Sequence, residues 1–349
     1  MLSSPLRRCL LTNKVLPSDL LIRFELVRPP SSSSPSSSSR LFLMPSGLLH
    51  SRFDALNRAR GKSLWVTCWK EAVSVLAKKG SYKRINQAAH LEPTTAVSRV
   101  HAQLAQRVVQ EVEMFAERAK SWPVSVAGDL SECPVRRLSG EEWEAERVKL
   151  VELNGGEQPV SRQLIAVLDI SDPPPDSPDA AVPFSTTFFT SPSHQIPVYR
   201  LSRFFADVQL PPSSPSSQPP SSAADSLSQA IETSLRSVVD LWERRQARSA
   251  PSPSSPSPSP PAPAAPSAPP PAPFSADAVY LIYSPTTPPA SAAPLPAPSA
   301  SSLSSAPESP SESLRRRQAE DVVPLLVALR RCSLWLCEGW EAEGEGGKR

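Results

Sequence analysis

Apolar and polar residues alternate most regularly between Leu20 and Val27, where Leu21, Arg23, Glu25 and Val27 fall on one side and Ile22, Phe24 and Leu26 on the other. That period of two predicts a strand with one apolar face. Ahead of it, the apolar stretch from Leu6 to Leu16 is interrupted by the turn pair Asn13-Lys14 and followed by Pro17. A further strand is predicted at Leu64-Trp65-Val66, entered from Gly61-Lys62-Ser63 and left at Thr67, a residue suited to capping a helix. From Cys68 to Lys79 the apolar residues Ala72, Val73, Leu76 and Ala77 recur at helical spacing, Lys70, Lys78 and Lys79 lie off that stripe, and Gly80 takes the C′ place. Tyr82, Lys83 and Arg84 come next, an aromatic ring beside cations that can bind phosphates and stack a base.

Farther along, Val97, Val100, Leu104, Val108, Val112 and Phe115 step by three and four between Thr94 and Lys120, which predicts a long amphipathic helix. Glu141 to Glu152 is a weaker helical or mixed segment. Three short apolar runs, Leu164 to Leu168, Ile196 to Leu201 and Val279 to Tyr283, have buried-strand character. Helices are predicted from Ser226 to Arg248, with Leu227, Ile231, Leu235, Val238 and Trp242 on one face, and from Glu320 through Leu336, with Pro324 near the start. The three runs are expected to share one sheet, with helix 94–120 and the last helix packed on it.

Composition changes this picture in one respect. The chain has 349 residues, of which 43 are proline, together with long serine runs, so much of it has no apolar area to bury. Residues 29–40, 211–222, 249–275 and 284–313 are expected to be disordered inserts, as is the shorter stretch 172–178. The remainder divides into a small region at 5–90 and an α/β region assembled from 94–210, 223–248 and 276–338. The expected class is α+β. Five scattered cysteines without metal-ligand spacing point to a reduced, intracellular chain. No run approaches the length of a membrane-spanning helix.

Charge is distributed unevenly. Residues 1–90 carry 15 Lys and Arg against 4 Asp and Glu, whereas the remainder carries 22 against 30. Such concentration of positive charge is the electrostatic footprint of a nucleic-acid binder. Catalytic signatures are missing: there is no P-loop, dinucleotide fingerprint, nucleophile elbow or zinc pattern. The histidines His50, His90, His101 and His194 stand far apart, and Glu141, Glu142 and Glu144 read as a solvated helix face. No enzyme activity, cofactor or metal is expected.

The order Arg8-Cys9-x-x-Thr12, Val15-x-Pro17, Leu21-Ile22-Arg23-Phe24, Gly61-Lys62-Ser63-Leu64-Trp65-Val66 and Lys78-Lys79-Gly80-x-Tyr82-x-Arg84 resembles the bacterial YlxR family of small RNA-binding domains over residues 5–90. Gly61-Lys62-Ser63 stands where that family commonly has Gly-Arg-Gly, and Thr12 stands in the second place of a C-x-x-C run, so no metal is expected there. The resemblance implies association with structured RNA, ribosomal or other. The residues expected to bind it are Arg7, Arg8, Lys62, Trp65, Lys78, Lys79, Tyr82, Lys83 and Arg84. Trp65 is open between a stacking platform and a core residue. The element order of the C-terminal half resembles, more weakly, the kink-turn-binding ribosomal proteins. Serine-proline inserts in a bacterial-type domain suggest a eukaryotic protein, expected in the mitochondrial matrix. Two rival readings are a scaffold that recruits proteins through its proline-rich segments and a nucleoid-type DNA binder.

Overall fold

A computed structural model describes residues 4–28, 41–53, 62–122, 133–152, 162–171, 183–191, 194–208, 223–249, 278–285 and 310–336. The first apolar stretch forms a hairpin of β1 (Leu6–Arg8) and β2 (Val15–Pro17), paired Leu6 to Pro17, Arg7 to Leu16 and Arg8 to Val15. Asn13 has a φ of 57°, the left-handed conformation that Asn tolerates in a turn.

The alternating stretch is β3 (Leu21–Val27), which pairs antiparallel with both β4 (Leu41–Ser46) and β5 (Ser63–Thr67). Ile22, Phe24, Leu64 and Val66 turn into the core. The opposite face is less open than the alternation predicts, because Leu21 and Glu25 are also buried. The Arg331 guanidinium donates to the Leu21 carbonyl at 3.0 Å, and Glu25 lies in an ion pair with Arg23.

Helix α1 (Lys70–Lys79) starts later than Thr67 would set it. Trp69 is its N-cap, without a side-chain cap. Thr67 instead ends β5 and places its hydroxyl 3.0 Å from the Cys9 thiol. Gly80 closes the helix at φ 61°, and its N–H reaches the Leu76 carbonyl at 3.1 Å. A Cβ there would meet nothing nearer than Lys83 Cδ at 4.0 Å, so backbone conformation, not crowding, calls for glycine. The 3-10 turn Ser81–Arg84 leads to β6 (Ala89–His90), which adds parallel to β4 and completes a sheet of order β5-β3-β4-β6.

Helix α2 (Pro93–Ser121) begins with proline in its first turn, where no N–H is required, and buries the predicted stripe Val100, Leu104, Val108, Val112 and Phe115. It packs on α1 and β4 to one side, and on α5 (Ala223–Ser249) and α6 (Pro310–Trp335) to the other. The helix expected to lie on the second sheet is thus the joint between the two halves of the fold. Helix α6 does lie on β11 (Ala278–Pro285). It begins ten residues ahead of the expected Glu320, so Pro324 is interior and Pro310–Ser313 are helical, not disordered. Ser249 and Ser284 are likewise in elements, whereas the inserts at 29–40, 172–178 and 211–222 lie outside the described residues.

The second sheet has the order β7-β11-β8-β10-β9, from β7 (Val135–Ser139), β8 (Arg162–Asp169), β9 (Ser185–Ser191) and β10 (His194–Arg200) with β11. The three runs expected to share a sheet are its neighbours β11, β8 and β10. Only β8 and β10 are parallel. Both faces are covered, which explains why β8 is a near-continuous apolar run. Val135, Ala166, Leu168, Tyr199, Tyr280 and Ile282 join the main core, while Leu138, Leu164, Val167, Ile196, Val198, Val279 and Leu281 form a second cluster with Trp143 of α3 (Gly140–Glu152). A register shift between Ile282 and Tyr283 moves Leu164 onto the face of Val167. Helix α4 (Leu201–Ala206) follows β10 and presents Phe204, on which His101 stacks with ring centroids 4.2 Å apart.

One cluster of buried side chains runs from Ile22 and Phe24 in the first sheet, through α2, to Tyr280 and Trp335 in the second half. Burial pushes the Cys68 thiol up to about 11 and Cys332 well above the usual thiol range. Tyr280, buried and near Glu232, is pushed up to about 12. These groups stay protonated and neutral at pH 7, as their dry surroundings require.

Candidate nucleic-acid interface

The hairpin is attached to the first sheet at β5. Leu10 donates its N–H to the Trp65 carbonyl at 2.8 Å, and Cys9 meets Thr67. Burial opposes ionisation of Cys9, but the Thr12 and Thr67 hydroxyls and the backbone N–H groups of Thr12 and Leu11 outweigh it and lower the thiol's pKa. This anchoring brings Arg7 over the strand.

Because Leu64 and Val66 point inward, Trp65 projects from the other face of β5. It is half-buried, and belongs neither to the core cluster nor to the apolar residues packed against it. The Arg7 guanidinium carbon lies 5.8 Å from its ring centroid, and that of Arg23, directly across the β3–β5 pairing, lies 5.9 Å away. As for the two readings left open for Trp65, this placement puts it outside the main core cluster, with most of its surface still covered. Arg23 is a component that the sequence did not single out. Its nearness to Trp65 depends on strand register, which alternation alone does not specify.

Arg8 parts company with Arg7. Adjacent residues of a strand face opposite ways, and Arg8 accompanies the exposed side chains of Leu6 and Val15. Lys62 is exposed and directly precedes Ser63, which pairs with Glu25. That is the end of the sheet where Val27 pairs with Phe42 and where β6 joins Leu41 and Phe42. Lys78, Lys79, Lys83 and Arg84 are exposed at the end of α1 and in the turn after it, a few residues before β6. They precede β6, which with β5, the strand that follows Lys62, forms the two outer strands of the sheet. Arg28, directly after Val27, is exposed too. Gly61 lies outside the described residues.

Tyr82 does not belong to this surface. It is only 6 % exposed and packs in the main core, because the 3-10 turn after Gly80 rotates its ring inward while Lys83 and Arg84 stay outside. The expected stacking role at this position is withdrawn.

None of Arg7, Arg8, Lys62, Lys78, Lys79, Lys83 and Arg84 forms an ion pair among the described residues. Elsewhere the carboxylates have local tasks. Glu142 and Ser139 form a reciprocal cap at the start of α3, with the Ser139 N–H donating to Glu142 at 2.8 Å and the Glu142 N–H to Ser139 Oγ at 3.2 Å. Those bonds from Ser139 lower the Glu142 pKa. Glu144 pairs with Arg147 at 2.8 Å. Of the histidines, His101 is buried against the Phe204 carbonyl at 2.7 Å, His50 sits on a turn beside α2, and His90 is exposed edge-on to Phe42. Among the described residues, no group of three or more His, Cys, Asp or Glu is placed to hold a metal ion, and no helix is long and apolar enough to cross a membrane. Comparison with known proteins finds no matching family model, no matching curated protein and no matching solved structure.

Proposed function

We propose that this protein is a non-enzymatic RNA-binding or RNA-modulating protein whose first sheet, hairpin and α1 end provide the contact surface, as the resemblance to the YlxR family implies. The observation that carries this reading is a set of seven exposed cations within residues 7–84 that have no carboxylate partner among the described residues, in a chain whose remainder is net acidic. Unpaired lysine and arginine heads on one region neutralise phosphates and release counterions, and this supplies most of the sequence-independent affinity for a nucleic acid. The partner in this reading is structured RNA, ribosomal or other, and the compartment is the mitochondrial matrix. The second half, whose element order is similar to the kink-turn-binding ribosomal proteins, would contribute further contacts.

Titration of the full chain against a labelled structured RNA at several salt concentrations tests the assignment. Four to six phosphate contacts predict a slope of log affinity against log salt of roughly −3 to −4. A duplex DNA of matched length that binds tighter than the RNA would move the assignment to a DNA binder. Absence of salt-dependent binding to both leaves the scaffold reading, in which proline-rich segments recruit proteins.

A further inference from the structure

We propose that Trp65, set between Arg7 and Arg23, is a one-nucleotide site for an unpaired base, so that the RNA segment taken by this face is single-stranded; the proposal rests on the RNA-binding reading above. Three features of the geometry point this way. First, the ring keeps part of its surface exposed on the sheet face opposite the core, and its strand is held in place on both sides. Its carbonyl accepts the Leu10 N–H, Thr67 is tied to Cys9, and β3 pairs along the other edge. A platform already fixed in position loses little freedom when a base arrives.

Second, both guanidiniums stand near 6 Å from the ring centroid, the outer limit of a cation–π contact. Their hold on the ring is weak enough for a base to take its place on one side. Third, the two arginines are not equivalent. Arg7 is exposed and without an ion pair among the described residues, and is available to the phosphate of the stacked nucleotide. Arg23 is in an ion pair with the buried Glu25, which holds it beside the ring with N–H donors for the edge of the base. A base within a duplex already stacks on its neighbours and can reach Trp65 only by leaving them, so the site selects unpaired nucleotides in loops, bulges or single strands.

The full chain is titrated with three labelled probes at one salt concentration: a short single-stranded RNA, a strand of the same length with the same phosphates but no bases, and a blunt RNA duplex. The intact single strand is expected to bind roughly ten-fold tighter than the abasic strand and tighter than the duplex. Trp65→Ala should cancel that advantage without changing the salt slope, and Trp65→Phe should keep most of it. If the wild-type chain binds the abasic strand as tightly as the intact one, or Trp65→Ala retains the full advantage, the base site is refuted while RNA binding through phosphates stands. If no probe binds in a salt-dependent manner, the RNA-binding reading falls with it. Should Trp65→Ala fail to fold, the wild-type comparison and Trp65→Phe still decide.

Discussion

The two halves of this molecule differ in how far their basic residues are matched by carboxylates, although neither half is wholly paired or wholly unpaired. Around the first sheet, Arg7, Arg8, Lys62, Lys78 and Lys79 at the end of α1 and Lys83 and Arg84 in the turn after it are exposed, without carboxylate partners among the described residues. From α2 onward, several arginines are matched, Arg107 to Glu111 at 2.6 Å, Arg147 to Glu144 at 2.8 Å, Arg136 to Glu146 at 3.4 Å, Arg137 to Glu232 at 3.5 Å and Arg200 to Asp169 at 3.7 Å, while Arg99, Arg203 and Arg330 are exposed without an ion pair among the described residues. The difference teaches that Lys and Arg content is a poor guide to an interface. What marks one is the fraction of cationic heads left over after local pairing, because only those attract an external phosphate without first breaking an internal contact.

The same contrast has a structural side, since the halves share one core through α2. Removing Glu111, 1 % exposed and paired with Arg107, should have the largest effect. Glu111→Ala strands a mostly buried guanidinium and is expected to cost about 3–5 kcal/mol of stability. Glu117→Ala, on the same helix but in an exposed pair with Arg52, should cost under about 1 kcal/mol. Urea unfolding followed by two probes checks both. It should show one cooperative transition, and two resolved transitions would mean that the halves fold separately.

Arg331→Met comes next. It removes the donor that α6 inserts against the Leu21 carbonyl and should cost about 1.5–3 kcal/mol in the same assay. An unchanged midpoint would show that the last helix does not tie the first sheet to the second half.

Acid should weaken the joint. Burial lowers the His101 pKa, with the Phe204 carbonyl and Asp207 opposing that shift and Lys70 adding to it, and burial lowers His50 in the same direction. Between its folded and unfolded pKa values, the folded chain therefore binds fewer protons than the unfolded chain. Stability is full above the unfolded value of about 6.5 and falls as pH drops below it. The slope is at most about 1.4 kcal/mol per pH unit for each histidine. Melting curves from pH 7.5 to pH 5.5 should show the decline, and His101→Gln should flatten it in part; a wild-type chain indifferent to this range contradicts the buried neutral imidazole.

Smaller effects are expected on the unpaired side. Trp65→Ala should cost less than the about 3–5 kcal/mol of a core tryptophan, because part of its ring is already in water. Arg8→Ala with Lys62→Ala should leave the melting temperature nearly unchanged while flattening the salt slope of RNA binding by about 1.4. A marked fall in melting temperature for either would show that these side chains are structural after all.

Much of this architecture follows from local pattern. The two-residue alternation of β3, the stripe of α2, the apolar runs of β8, β10 and β11 and the glycine that closes α1 each depend on residues within a turn or two of one another. Net charge is likewise additive along a chain, so the basic bias of residues 1–90 needs no structure to be seen. Partnership is different. Leu21 is polar-side by its period, yet it is buried, and its carbonyl accepts from Arg331, 310 positions away. Tyr82 reads as a partner of its neighbouring cations, but the 3-10 turn rotates it into the core. Arg23 belongs to the site only because register sets it opposite Trp65. Ser139 and Glu142 have the three-residue spacing of the reciprocal cap they form, a local signal, but nothing in that spacing shows β7, which ends there. Periodicity records which side of an element avoids water. What covers that side, and which charges remain unmatched once it is covered, is settled when distant segments pack together.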